Sequence, residues 1–66
     1  MRPKAIPTEV IDKDGNLQTI EFYTEDGEHI IDATWDPMDP QDAKHRAQFR
    51  NWAYQHIGTL GYDVQL

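Results

Sequence analysis

The chain has 66 residues, no cysteine, no serine and a formal net charge of −6. That length makes one domain, spanning 1–66, and a domain of this size buries only about 60% of its unfolded-chain surface. Disulfides and cysteine-based zinc sites are excluded, and the missing cysteine fits a reducing, cytoplasmic setting.

Residues 1–5 read as a flexible lead-in. Arg2 and Lys4 are followed by no apolar run, so this segment is not expected to act as a signal peptide. Ile6 to Lys13 reads as a first strand, with Pro7 confining it to an edge or a strand start. Asp14-Gly15-Asn16 supplies a turn. Leu17 to Thr24 is rich in β-forming residues and reads as the second strand. Asp26-Gly27 gives a two-residue hairpin turn, and Glu28 to Trp35 is the third strand. Residues 6–35 therefore form an antiparallel meander.

These turns predict a register. Phe22 faces Ile31, Ile20 faces Ala33, and Val10 faces Ile20. One sheet face then collects Val10, Ile20, Phe22, Ile31, Ala33 and Trp35. The other collects Ile11, Leu17, Thr19, Tyr23 and Ile30, with Glu21 and Asp32 among them. A slip of one residue would exchange the two sets.

A helix is predicted over 39–58, with Asp39 as N-cap, Pro40 at the first helical position and Gly58 just past the end. Its apolar stripe is Phe49, Trp52, Ala53, His56 and Ile57, continuing to Leu60. Trp35 and Trp52 are expected as core anchors. Tyr62 to Leu66 alternates and reads as a fourth strand at 62–66, parallel to the third. The fold class is α+β, in the order βββαβ.

Few chemical constellations withstand inspection. Asp12-Lys13-Asp14-Gly15-Asn16 resembles the opening of an EF-hand calcium loop. Leu17 and Tyr23 then stand where that family needs glycine and a bidentate glutamate, so the segment reads as a hairpin turn. His45 and His56 are too far apart along a helix to share one ion, and His29 has no evident second ligand. No glycine-rich phosphate loop and no nucleophile–base arrangement appears, so no cofactor, metal or enzymatic activity is expected. No apolar run is long enough to span a membrane.

Binding remains. One helix covers one face of a sheet, so the second face is left for a partner. The expected partner-binding residues are Ile11, Leu17, Glu21, Tyr23, Asp26, Ile30 and Asp32. Residues 1–42 hold three basic against eleven acidic residues, a balance of −8. Residues 43–66 hold three against one, a balance of +2. The first imbalance suits a larger protein, or a protein–nucleic acid complex, with a basic surface. Direct nucleic-acid binding is not expected, and the only basic patch is Lys44, Arg46 and Arg50. In size and charge alone the chain is similar to phage-encoded proteins that inhibit host enzymes or defence systems. An inhibitor or adaptor is the leading expectation. A homodimer or a structural subunit of a larger assembly is a second one, and a small transcription or replication regulator acting through the helix a third.

Overall fold

Two loops of the same shape shape the sheet. In the first, Asp12 and Asn16 close a three-residue loop: the Asp12 N–H donates to Asn16 O at 2.9 Å and the Gly15 N–H to Asp12 O at 3.0 Å. In the second, the Thr24 N–H donates to Glu28 O at 2.8 Å and the Gly27 N–H to Thr24 O at 3.0 Å. Each is a turn whose fourth residue is a glycine at positive φ, 82° for Gly15 and 89° for Gly27, the geometry of a three-residue hairpin. The residue that opens each loop also caps it. Asp12 Oδ1 accepts the N–H groups of Asp14 and Asn16, and Thr24 Oγ1 accepts that of Glu28.

The computed structural model describes all residues, 1–66. Strand β1 is Lys4–Ile11, β2 Leu17–Tyr23 and β3 His29–Thr34; helix α1 is Ala43–Thr59 and β4 is Asp63–Val64. The sheet order is β3-β2-β1-β4, with the first three strands antiparallel and β4 parallel to β1. The fold is α+β in the expected order βββαβ.

Register departs from expectation in β1. Closing the first loop at Asp12 and Asn16 pairs Ile11 with Leu17, and an irregularity at Gln18 then pairs Val10 with Thr19 and Glu9 with Ile20. The net slip of one residue turns β1 over. Ala5, Pro7 and Glu9 face the helix, while Ile6, Thr8 and Val10 face away. The same bulge lets Leu17 and Ile20, three residues apart, both point inward. The β2–β3 register stands as expected, with Phe22 on Ile31 and Ile20 on Ala33. It arises differently, because a three-residue loop is compensated by a bulge at Ile30.

The core is Ala5, Leu17, Ile20, Phe22, Ala33, Trp35, Ala53 and Ile57. Phe22 meets Tyr54 edge-on at 6.1 Å and Trp35 meets Phe49 at 4.9 Å. Trp35 is a core anchor, but Trp52 is 58% exposed and is not one. The helix also starts later than expected. Asp36 to Asp39 make their own turn, and Gln41 reaches back to clasp β2. Its Nε2 donates to Leu17 O at 2.9 Å, and its Oε1 accepts the Leu17 N–H at 3.0 Å. Asp42 is therefore the N-cap, accepting the His45 N–H at 2.8 Å. At the other end Gly61, at φ 95°, is the residue past the cap. Gly61 donates to Gly58 O and Tyr62 to Ile57 O, which makes a Schellman turn.

That turn delivers β4 to β1, not to β3. Asp63 and Gln65 donate to Pro3 O and Ala5 O, each at 2.9 Å. The next bond of such a parallel ladder would come from residue 7, and Pro7 has no N–H, so β4 stops at two residues. Residues 1–5 are consequently not a flexible lead-in. Ala5 is fully buried, and Arg2 Nη2 donates to Gly58 O and, at 3.1 Å, to Tyr62 O.

The sheet and helix are also joined by charge. Arg50 grips Glu9 with two bonds, of 2.6 and 3.0 Å. That hydrogen bond, opposed in part by burial, holds the Glu9 carboxyl below the usual glutamate range. Asp12 and Asp42 are lowered in the same way by the N–H groups they accept. A carboxylate with a depressed folded-state pKa stabilises the protein above its unfolded value of about 4 and ceases to do so as pH falls through its folded value. Glu9→Gln is therefore expected to cost about 0.5–1 kcal/mol at pH 7, the upper range for a partly exposed pair. Urea unfolding series should show the gap between variant and parent closing on acidification below about pH 4.

Candidate functional site

The sheet face away from the helix is built from three rows of three. Ile6, Tyr23 and His29 form one row; Thr8, Glu21 and Asp32 the second; Val10, Thr19 and Thr34 the third. Directly opposed residues share a face, so the register alone assembles these rows. No helix or loop lies across them. The face is threonine-rich and acidic, not apolar.

Its centre is the pair Glu21 and Asp32. The Trp35 N–H donates to Gln18 O, which marks 18 and 35 as a hydrogen-bonded position of the ladder, and alternation makes 21 and 32 a non-hydrogen-bonded pair. Such pairs hold their side chains closer than the alternate kind, and like charges opposed there repel. The neighbours share the load. Tyr23 Oη donates to Glu21 Oε1 at 3.0 Å, and His29 Nε2 lies 2.6 Å from Asp32 Oδ1. The Tyr23 and His29 rings meet at 5.5 Å. The bond to Glu21, with some burial and the field of both carboxylates, holds the Tyr23 proton more tightly than in ordinary tyrosine. No lysine or arginine of the chain pairs with Glu21 or Asp32.

The expected partner-binding set is thus divided. Glu21, Tyr23 and Asp32 come together on the open face, and Asp26 is exposed in the adjoining loop. Leu17 is fully buried and belongs to the core. Ile30 is the bulged residue and packs against that core. Ile11 is 47% exposed but, with β1 turned over, lies on the helix side. A broad apolar docking face therefore does not exist.

The basic patch is not assembled either. Arg46 Nη2 donates to Gly15 O at 2.8 Å and its Nε to Gln41 Oε1 at 3.2 Å, while Arg50 is held by Glu9. Only Lys44 of the three is exposed. No three His, Asp or Glu side chains converge as metal ligands. No helix is long and apolar enough to cross a membrane.

A second concave feature was missed by sequence reasoning. His45, Phe49, Trp52 and His56 follow one another at helical spacing along the flank of α1 next to β3. Phe49 stacks on Trp52 at 6.1 Å, and Trp52 on His56 at 6.1 Å. With Thr34, Asp36, Asp39 and Gln48, the first three of these residues line a cavity of about 310 Å³. Its signal was present in the spacing, but the stripe read as core. The buried line of the helix is instead Ala53 and Ile57, flanked by Phe49 and Tyr54.

Comparison with known protein families, with curated proteins and with solved structures finds no match.

Proposed function

We propose that this chain is a small acidic, non-enzymatic protein-interaction module, an inhibitor or adaptor. It presents the Glu21–Asp32 face to a basic surface of a larger protein or protein–nucleic acid complex. One observation carries this reading: two carboxylates are held opposite each other on an uncovered sheet face, and no lysine or arginine of the chain neutralises them. A cationic side chain from a partner would relieve that repulsion on binding, and a net charge of −6 would steer basic partners toward it. The absence of cysteine fits action in the cytoplasm, and the size and charge fit a phage protein directed at host enzymes or defence.

The direct test is capture from a lysate of the source, followed by mass spectrometry and a salt series. A basic protein retained at low salt and released steeply between about 50 and 500 mM is the expected result, because exposed ion pairs are screened over that range. Retention insensitive to salt would remove the acidic face from the explanation.

A further inference from the structure

We infer that the groove between the end of β3 and the flank of α1 receives an arginine side chain carried by an extended segment of a protein partner. This rests on the reading that the partner is basic, but it uses a different surface. Trp52 is 58% exposed and is braced between Phe49 and His56, so an exposed indole is held in place at the groove. Asp36 and Asp39 line the same cavity, and neither pairs with any lysine, arginine or histidine of the chain. Each arginine of the chain is engaged elsewhere: Arg2 with Gly58, Arg46 with Gly15, and Arg50 with Glu9. An exposed indole beside uncompensated carboxylates is complementary to a guanidinium, which packs against the ring while its N–H groups reach the acids.

The free edge of β3 identifies the carrier as a polypeptide. The Trp35 N–H donates to Gln18 O, so alternation turns the N–H and C=O of Asp32 and Thr34 outward, away from β2. Thr34 also lines the groove. A segment lying along that edge would place a side chain over Trp52, the general mode of strand addition. A second copy of this chain is a poor occupant, since each brings a charge of −6.

The test is an amide and indole NMR titration of the whole chain with hexa-arginine peptide, with hexa-citrulline as the uncharged control. Saturable shifts are expected at the Trp52 indole and at residues 32–39 and 45–52 with arginine, and none with citrulline. Trp52→Leu should weaken binding about threefold or more. The pair Asp36→Asn and Asp39→Asn, which keeps the side-chain acceptor that Asp36 offers the Met38 N–H, should weaken it about tenfold. Glu21→Gln should leave groove affinity within about twofold, since that side chain lies on the other face and its strand, β2, is not at the free edge. Shifts confined to the open sheet face, or groove shifts that persist with citrulline or in both groove variants, overturn the inference and leave the acidic-face reading standing. Absence of any shift also overturns it, while salt-sensitive capture through Glu21 and Asp32 would still uphold the other reading.

Discussion

Leu17→Asp is expected to abolish folding, whereas Ile11→Asp should leave the protein folded and its urea midpoint nearly unchanged. The two residues are direct cross-strand partners, yet one is fully buried and the other 47% exposed. Removing a buried leucine side chain costs about 2–5 kcal/mol even when alanine replaces it. Aspartate adds an unpaired buried charge, which costs more. A chain of this length holds only about 3–10 kcal/mol in total, and its core is eight residues. Substitution at an exposed position such as Ile11 usually stays within about 0.5 kcal/mol. Circular dichroism and amide dispersion measure the outcome directly. A folded Leu17→Asp protein would mean that the bulge at Gln18 is absent, so that Leu17 and its partner Ile11 both lie on the face away from the helix and β1 keeps its other face inward.

This contrast also marks where the sequence was legible. The turn residues were readable, and so was every element. What decided the faces was which residue opened each loop. Asp12 and Thr24 each stand three positions before a glycine and cap the turn through their side chains. That pattern favours a three-residue loop over a two-residue one. In the second hairpin a bulge at Ile30 cancels the difference, and the expected register survives. In the first, a three-residue loop was expected at 14–16 but closes one residue earlier, which shifts the pairing by two; the bulge at Gln18 cancels half of that shift, so β1 turns over. Bulges depend on packing across the sheet, and no local propensity announced either of them. The helix start was displaced for a similar reason. Asp39-Pro40 is a sound local start signal, but Trp35 Nε1 bonds to Asp39 O and Gln41 bonds to Leu17, so tertiary contacts hold that stretch against β2. Of the candidate site, the carboxylates were legible because their parity in β2 and β3 was right. The apolar residues assigned beside them depended on β1 and on the bulges, and were not.

Asp32→Lys is expected to have opposite effects on stability and on binding. In the free protein it replaces a like-charge cross-strand contact with Glu21 by an opposite-charge one, and the urea midpoint should rise by the equivalent of about 0.2–1 kcal/mol. The half-exposed contact with His29 is lost, which offsets part of that gain. Binding to a basic surface should meanwhile weaken by about 2–5 kcal/mol, enough to eliminate capture from a lysate, because the partner now meets a like charge. Adding Glu21→Lys separates the two effects. The pair then carries like charges again, so the stability gain should vanish while capture stays lost. If Asp32→Lys stabilises the chain and the partner is still retained, the opposed carboxylates are only a local defect of the sheet. If stability rises and retention disappears together, the repulsion stored between β2 and β3 is what a basic partner relieves on docking.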